Sequence, residues 1–168
     1  DNRGYGNSQV LMRDYTTADD IETVLFEIAD QVASRLRKHN VLGEIIGISV
    51  GFSEPDEHGR SGWSAQTKVD PTNETNDLIR AVRYLFESRW QGNALRNLGV
   101  RANRISKPST FQLSLFTDDK RHEANLKLER TIDQIRSRYG YKAIVRGYSK
   151  KDSGTAIDRS SLVGGHQA

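Results

Sequence analysis

Ile46-Gly47-Ile48-Ser49-Val50-Gly51-Phe52 is the stretch on which the fold turns. Apolar residues at 46, 48, 50 and 52 alternate with glycine and serine, the period of two that sends one set to each face of a β-strand. One face is therefore apolar, and the other is built of very small side chains. The run Ser53-Glu54-Pro55-Asp56-Glu57-His58-Gly59 is dense in turn formers and ends the strand. Beyond it Trp63, Ala65, Thr67 and Val69 alternate with Ser64, Gln66 and Lys68. Two such strands around one loop predict a hairpin.

Working outward, each side of the hairpin carries a helix and a strand. Upstream, Ile21, Leu25, Ile28, Val32 and Leu36 recur at steps of three and four, the stripe of an amphipathic helix. Thr16-Thr17-Ala18-Asp19-Asp20 supplies its N-terminal hydroxyls and acids, and Arg35, Arg37, Lys38 and His39 its basic end. Residues 3–12 read as a strand before it. Downstream, Asp70-Pro71-Thr72-Asn73-Glu74-Thr75 opens a second helix with Leu78, Val82, Leu85, Phe86 and Trp90 on one side, closed by Gly92. Leu98, Val100 and Ala102 then alternate with Gly99, Arg101 and Asn103. The order β-α-β-β-α-β predicts an α+β, ferredoxin-like fold, a four-stranded antiparallel sheet with both helices on one face. Residues 1–106 are the predicted domain and 107–117 a linker with a short motif. A third helix is predicted over 118–140, with Leu128, Ile132, Ile135 and Tyr139 as its apolar stripe, and 141–168 as a largely irregular tail.

Composition narrows the function. The chain has 168 residues, 35% of them hydrophobic, no cysteine and a net charge of +3. Its mean hydropathy is −0.69 and its pI about 9.2. Disulfides, thiolate zinc sites and cysteine nucleophiles are excluded, and a reducing cytoplasm is compatible. No apolar run is long enough to cross a bilayer as a helix. The chain opens on Asp1 without an initiator Met, which fits a fragment of a longer protein. Charge is distributed unevenly: Arg96, Arg101, Arg104 and Lys107 fall between residues 94 and 111 without one acid, while Asp19, Asp20, Glu22, Glu27 and Asp30 crowd the first helix.

With helices on one side of the sheet, the other is lined by Gly47, Ser49, Gly51, Ser64, Gln66, Lys68, Gly99, Arg101 and Asn103. Two readings stand. Such a face can simply be solvated, or its small and basic residues can follow the phosphates of a duplex. Without an aromatic stripe it does not suit base stacking across the sheet. Neither the acids of the helix starts nor the histidines 39, 58, 122 and 166 have catalytic or metal-ligand spacing.

After the linker comes Gln112-Leu113-Ser114-Leu115-Phe116, three apolar side chains and an amide with no strand partner left. It either packs back on the domain or inserts into a pocket on a partner. This pentapeptide resembles the bacterial sliding-clamp binding motif. Around it, Gly6-Asn7-Ser8-Gln9-Val10-Leu11, Val32-Ala33-Ser34-Arg35-Leu36-Arg37, Pro71-Thr72-Asn73-Glu74-Thr75, Arg96-Asn97-Leu98-Gly99-Val100 and the ending Leu162-Val163-Gly164-Gly165-His166-Gln167-Ala168 resemble the C-terminal "little finger" and tail of Y-family translesion DNA polymerases of the ImpB/MucB/SamB type. Asn97 stands where the family carries a second arginine, and Arg3-Gly4 where it carries Lys-Ser. The resemblance implies a DNA-damage-response role in the bacterial cytoplasm, associated with the nucleoid. It implies that Gln112, Leu113, Ser114, Leu115 and Phe116 bind the sliding clamp. Arg3, Ser64, Lys68, Arg96 and Arg101 would contact the primer-template duplex, with Arg104 and Lys107 added on charge. It places the chemistry, with two Mg2+ ions on palm carboxylates, N-terminal to this chain, leaving no catalytic residue, metal or cofactor within it. Two other classes fit the fold alone: a protein-interaction module that never touches DNA, and a stand-alone enzyme whose pocket would have to gather titratable groups.

Overall fold

The computed structural model describes residues 4–108 and 120–140. Seven elements follow one another: β1 (Tyr5–Tyr15), α1 (Ala18–Lys38), β2 (Gly43–Phe52), β3 (Gly62–Thr72), α2 (Thr75–Arg89), β4 (Leu95–Asn103) and α3 (Lys120–Tyr139). The first six are the predicted β-α-β-β-α-β series. All pairings are antiparallel, in the order β1-β4-β2-β3. Each β-α-β unit is thus split by one strand: β4 lies between β1 and β2, and β2 between β4 and β3. The element order does not decide which strands lie centrally, and here they are β2 and β4. The ordinary ferredoxin arrangement would place β1 and β3 there.

Local chemistry explains the helix ends. The Thr17 hydroxyl accepts the backbone N–H of Asp20 at 3.3 Å, satisfying an amide that has no partner inside α1. At the other end Asn40 takes a positive φ of 52° and lets the chain turn into β2. Gly92, at φ +95°, does the same after α2.

The core lies between the sheet and the paired helices. Ile46, Ile48 and Val50 of β2 and Leu98, Val100 and Ala102 of β4 meet Ile21, Leu25, Ile28, Val32, Leu78, Val82 and Phe86 of α1 and α2. Each such side chain contributes roughly 1.5–3 kcal/mol on burial. This is the face of β2 that the alternation of its sequence made apolar.

The third helix departs from expectation. Of its predicted stripe only Ile132 is buried, whereas Leu128 and Tyr139 are 57% and 68% exposed. The docked face instead carries Glu129, Asp133 and Arg136. Arg37 of α1, its side chain 5% exposed, donates to Asp133 through Nε (2.6 Å) and a terminal nitrogen (3.0 Å) and lies 3.3 Å from Glu129. The same guanidinium donates to the Asn73 carbonyl at 2.8 Å, at the entry to α2. Arg136 pairs with the fully buried Asp30 at 3.0 Å. Charge complementarity, absent from a hydrophobic periodicity, sets this face. It also gives Arg37 a role beyond complementing a helix dipole, and Asp30 a buried partner. Residues 112–116 and the 141–168 tail lie outside the described residues.

Candidate nucleic-acid interface

The strand register assembles the open face row by row. Val10, Asn97, Gly51 and Gly62 form one row across the four strands; Ser8, Gly99, Ser49 and Ser64 form the next. Gly6, Arg101, Gly47 and Gln66 form the third, and Asn103, Ile45 and Lys68 the fourth. No row contains Asp or Glu. A trough of about 740 Å³ runs over the middle rows, lined by Gly6, Ser8, Gly47, Ser49, Ser64, Gln66, Gly99 and Arg101 among others. Its walls are low because the residues are small.

Bare backbone shapes this surface. A Cβ placed on Gly4 would come within 2.6 Å of an Arg101 guanidinium nitrogen, and one on Gly6 within 3.3 Å of the Arg101 Cγ. The Arg101 side chain therefore lies across the glycines of β1, and its Nε donates to the Asn103 side-chain oxygen at 3.0 Å. A Cβ on Gly99 would meet the Ser49 hydroxyl at 2.5 Å. With glycine there the Ser49 hydroxyl lies over β4; a side chain at 99 would require that hydroxyl to turn away.

The sequence-derived contact residues divide into three groups. Ser64, Lys68 and Arg101 stand on the open rows, as their alternation predicts. Arg96 sits where the β4 register slips between Leu95 and Asn97, and its guanidinium lies 3.2 Å from Asp14. Arg104 follows β4 at φ 55° and pairs with Glu44 at 3.5 Å; Lys68 reaches the same carboxylate at 3.7 Å. Lys107 is exposed just after Ser106, which exchanges both backbone hydrogen bonds with Leu42. Arg3 and residues 112–116 lie outside the described residues. The acid-free segment of the sequence is thus partly neutralised in space, by Asp14 and Glu44 from other strands. Among the described residues no carboxylate lies within ion-pair distance of Arg101. Gly6 and Ser8 of β1 complete two rows that the sequence reading had limited to β2, β3 and β4. Their spacing two residues apart was the signal. Among the described residues no three His, Asp or Glu side chains gather as a metal site. No helix among them is long and apolar enough to cross a membrane.

The class the fold defines is an α+β module: a split β-α-β sheet backed by helices on one side and left open on the other, with small residues lining the open side. The profile of the impB/mucB/samB family C-terminal domain matches residues 2–115, and the chain belongs to that family. Among its relatives, a Bacillus subtilis (strain 168) protein described as putative UV-damage repair protein UvrX is 40% identical over 98% of this chain. DNA polymerase IV 2 of the same organism is 34% identical, and DNA polymerase IV 2 of Halalkalibacterium halodurans 31%, each over 98% of this chain. This chain spans 39% of the length of each of the three. A solved chain from a complex of β-clamp processivity factor and the little finger domain of PolIV superposes with a TM-score of 0.49 at 17% identity, over 64% of this chain and 93% of that one. That last likeness is too loose to carry an argument.

Proposed function

We propose that this chain is the part of a translesion DNA polymerase that grips the primer-template duplex and ties the enzyme to the sliding clamp. The observation that carries the duplex reading is the absence of any acid from four rows of glycine, serine, amides, Val10, Ile45, Lys68 and Arg101, of which only Lys68 meets Glu44, at their border. A phosphate ribbon can approach such a backbone closely, meeting neutral donors and a few cations. The relatives' names, a repair protein and DNA polymerases, point the same way. The chain contributes binding; chemistry, with its two Mg2+ ions, would belong to the portion of a polymerase outside it, in the bacterial cytoplasm at the nucleoid.

Few cations make a weak, sequence-independent grip. Binding of the clamp through Gln112, Leu113, Ser114, Leu115 and Phe116 offsets that weakness by raising the local concentration of the enzyme on clamp-loaded DNA. Titration of a duplex at several salt concentrations tests the grip. The apparent affinity falls with salt at a slope near −0.9 per phosphate neutralised. Arg101→Ala flattens that slope by about one, whereas Arg96→Ala, whose charge is already paired with Asp14, changes it less. An unchanged slope in Arg101→Ala overturns the open face as the DNA surface. For the clamp, the Leu115→Ala/Phe116→Ala double variant loses binding to a bacterial sliding clamp and keeps duplex affinity. Equal clamp affinity in the double variant sinks that half of the reading.

A further inference from the structure

A second concavity, of about 570 Å³, opens at the end of the sheet where β2 turns into β3. Trp63 lines it, with the hairpin loop on one side and the loop between α2 and β4 on the other. Both loops are braced. The Asp56 carboxylate accepts the backbone N–H groups of Arg60 (2.8 Å) and His58 (2.9 Å) and the Arg60 Nε (3.0 Å), bonds that hold it below its ordinary pKa. Opposite, the Trp90 indole N–H donates to the Asn93 carbonyl at 2.9 Å. The Ser53 N–H donates to the Ala94 carbonyl at 2.9 Å and ties one loop to the other. The cleft is therefore formed before any ligand arrives.

Its chemistry favours a flat heteroaromatic ring. The exposed Arg89 guanidinium lies over the Trp63 ring, its carbon 5.6 Å from the ring centre, too close to admit a base between them, so the guanidinium plane braced by the indole is the surface offered for stacking. Gln91 and Asn93 also line the cleft, and each amide offers a donor and an acceptor to a base edge. The two arginines are balanced by Asp56 and Glu57, so the cleft has no net charge with which to select a phosphate. Ser64 lines both this cleft and the trough over the open face. The two concavities therefore adjoin at the end of β3, although Trp63, paired with Val50, belongs to the core side of the sheet.

We propose that this cleft takes one unpaired nucleobase from a strand that continues past the duplex. The proposal rests on the reading of the open face as the duplex surface. The probes are a blunt duplex, the same duplex with a short single-stranded extension carrying 2-aminopurine, and the single-stranded oligomer alone, each titrated against the whole chain. The extension raises affinity about fivefold to tenfold, in the range of one stacked base, and 2-aminopurine fluorescence is quenched. In Arg89→Ala/Gln91→Ala, which alters two exposed side chains and leaves Trp63 in the core, the advantage and the quenching disappear while blunt-duplex affinity stays the same. Equal affinity for blunt and extended duplexes in the wild type overturns the cleft and leaves the open face standing. An advantage that survives the double variant overturns it as well. Quenching of the single strand without any duplex binding overturns the open face and keeps the cleft as a base site; no binding to any probe removes both.

Discussion

α2 and α3 are attached to the same part of the molecule by opposite means. α2 presses Leu78, Val82, Leu85 and Phe86 onto the sheet and α1, and all four are buried. α3 meets α1 through Glu129, Asp133 and Arg136, with Ile132 as its buried apolar contact. Apolar burial is non-directional and stabilises in proportion to area. A buried ion pair loses in desolvation much of what it gains in Coulomb energy, yet it holds its partners in one geometry. The contrast teaches that α2 is part of what makes the domain fold, and that α3 is placed accurately and held lightly. The chain's charge is thus invested where a position must be specified, and its apolar residues where stability is needed.

The sharpest way to break the comparison is to cut each attachment. Phe86→Ala removes a fully buried ring from beneath α2 and is expected to cost about 3–5 kcal/mol. That is a large fraction of the roughly 5–15 kcal/mol by which such a domain is stable. Denaturant titration reads it directly, as a fall in midpoint with unchanged slope. A loss below about 1 kcal/mol would mean that α2 is not the structural element described here.

The second cut should act locally. Asp133→Ala takes from Arg37 its 2.6 Å partner and from Ser34 an acceptor at 3.2 Å, while Glu129 remains within reach. The docking of α3 is expected to weaken by about 2–3 kcal/mol, less than for a fully orphaned buried charge because one carboxylate stays. Since α3 can then leave and let Arg37 hydrate, the global midpoint moves little. Hydrogen exchange separates the two: amides of α3 lose protection by roughly thirtyfold or more, and those of α2 keep theirs. Equal loss of protection in both helices would make α3 part of the cooperative core.

The same contrast marks where sequence was legible. The stripes of α1 and α2 and the alternation in β2, β3 and β4 were readable because hydrophobic burial has a period, and the open face followed from the same parity. Leu128, Ile132, Ile135 and Tyr139 have that period too, but the docked face of α3 answers to Arg37 and Asp30, which lie about a hundred residues earlier. A periodicity cannot show a partner that distant. Glu27 and Asp30 appeared in sequence as members of an acid-crowded helical stretch, and both are fully buried. The open face shows the same limit. Arg96, Arg104 and Lys68 look unopposed along the chain and meet Asp14 and Glu44 across the strands. Residue types and faces were legible, and so was the place of Arg101 on the open face. Strand order and the pairing of charges were not, because both depend on tertiary contacts.

The smallest effect expected is one of pH, and it falls at the joint between the two helices. Glu74, at the N-cap of α2, is buried, and its carboxyl is pushed up to about 7. Burial is the main cause; Asp77 adds charge repulsion and a shared hydrogen bond, Glu129 of α3 repels it further, and Arg80 pulls the other way. A carboxyl raised in the folded state binds its proton more tightly there than in the unfolded chain. Its contribution is full below the ordinary value near 4.5 and is lost as the pH rises through about 7. Glu74→Gln keeps the neutral shape at every pH and should remove that part of the slope, leaving the variant more stable than the wild type by about 1–2 kcal/mol at pH 8 and nearly equal at pH 5. Thermal unfolding at the two pH values measures it. If the difference between the proteins is the same at pH 5 and pH 8, Glu74 is not the titrating group, and the joint between α2 and α3 has no proton to lose.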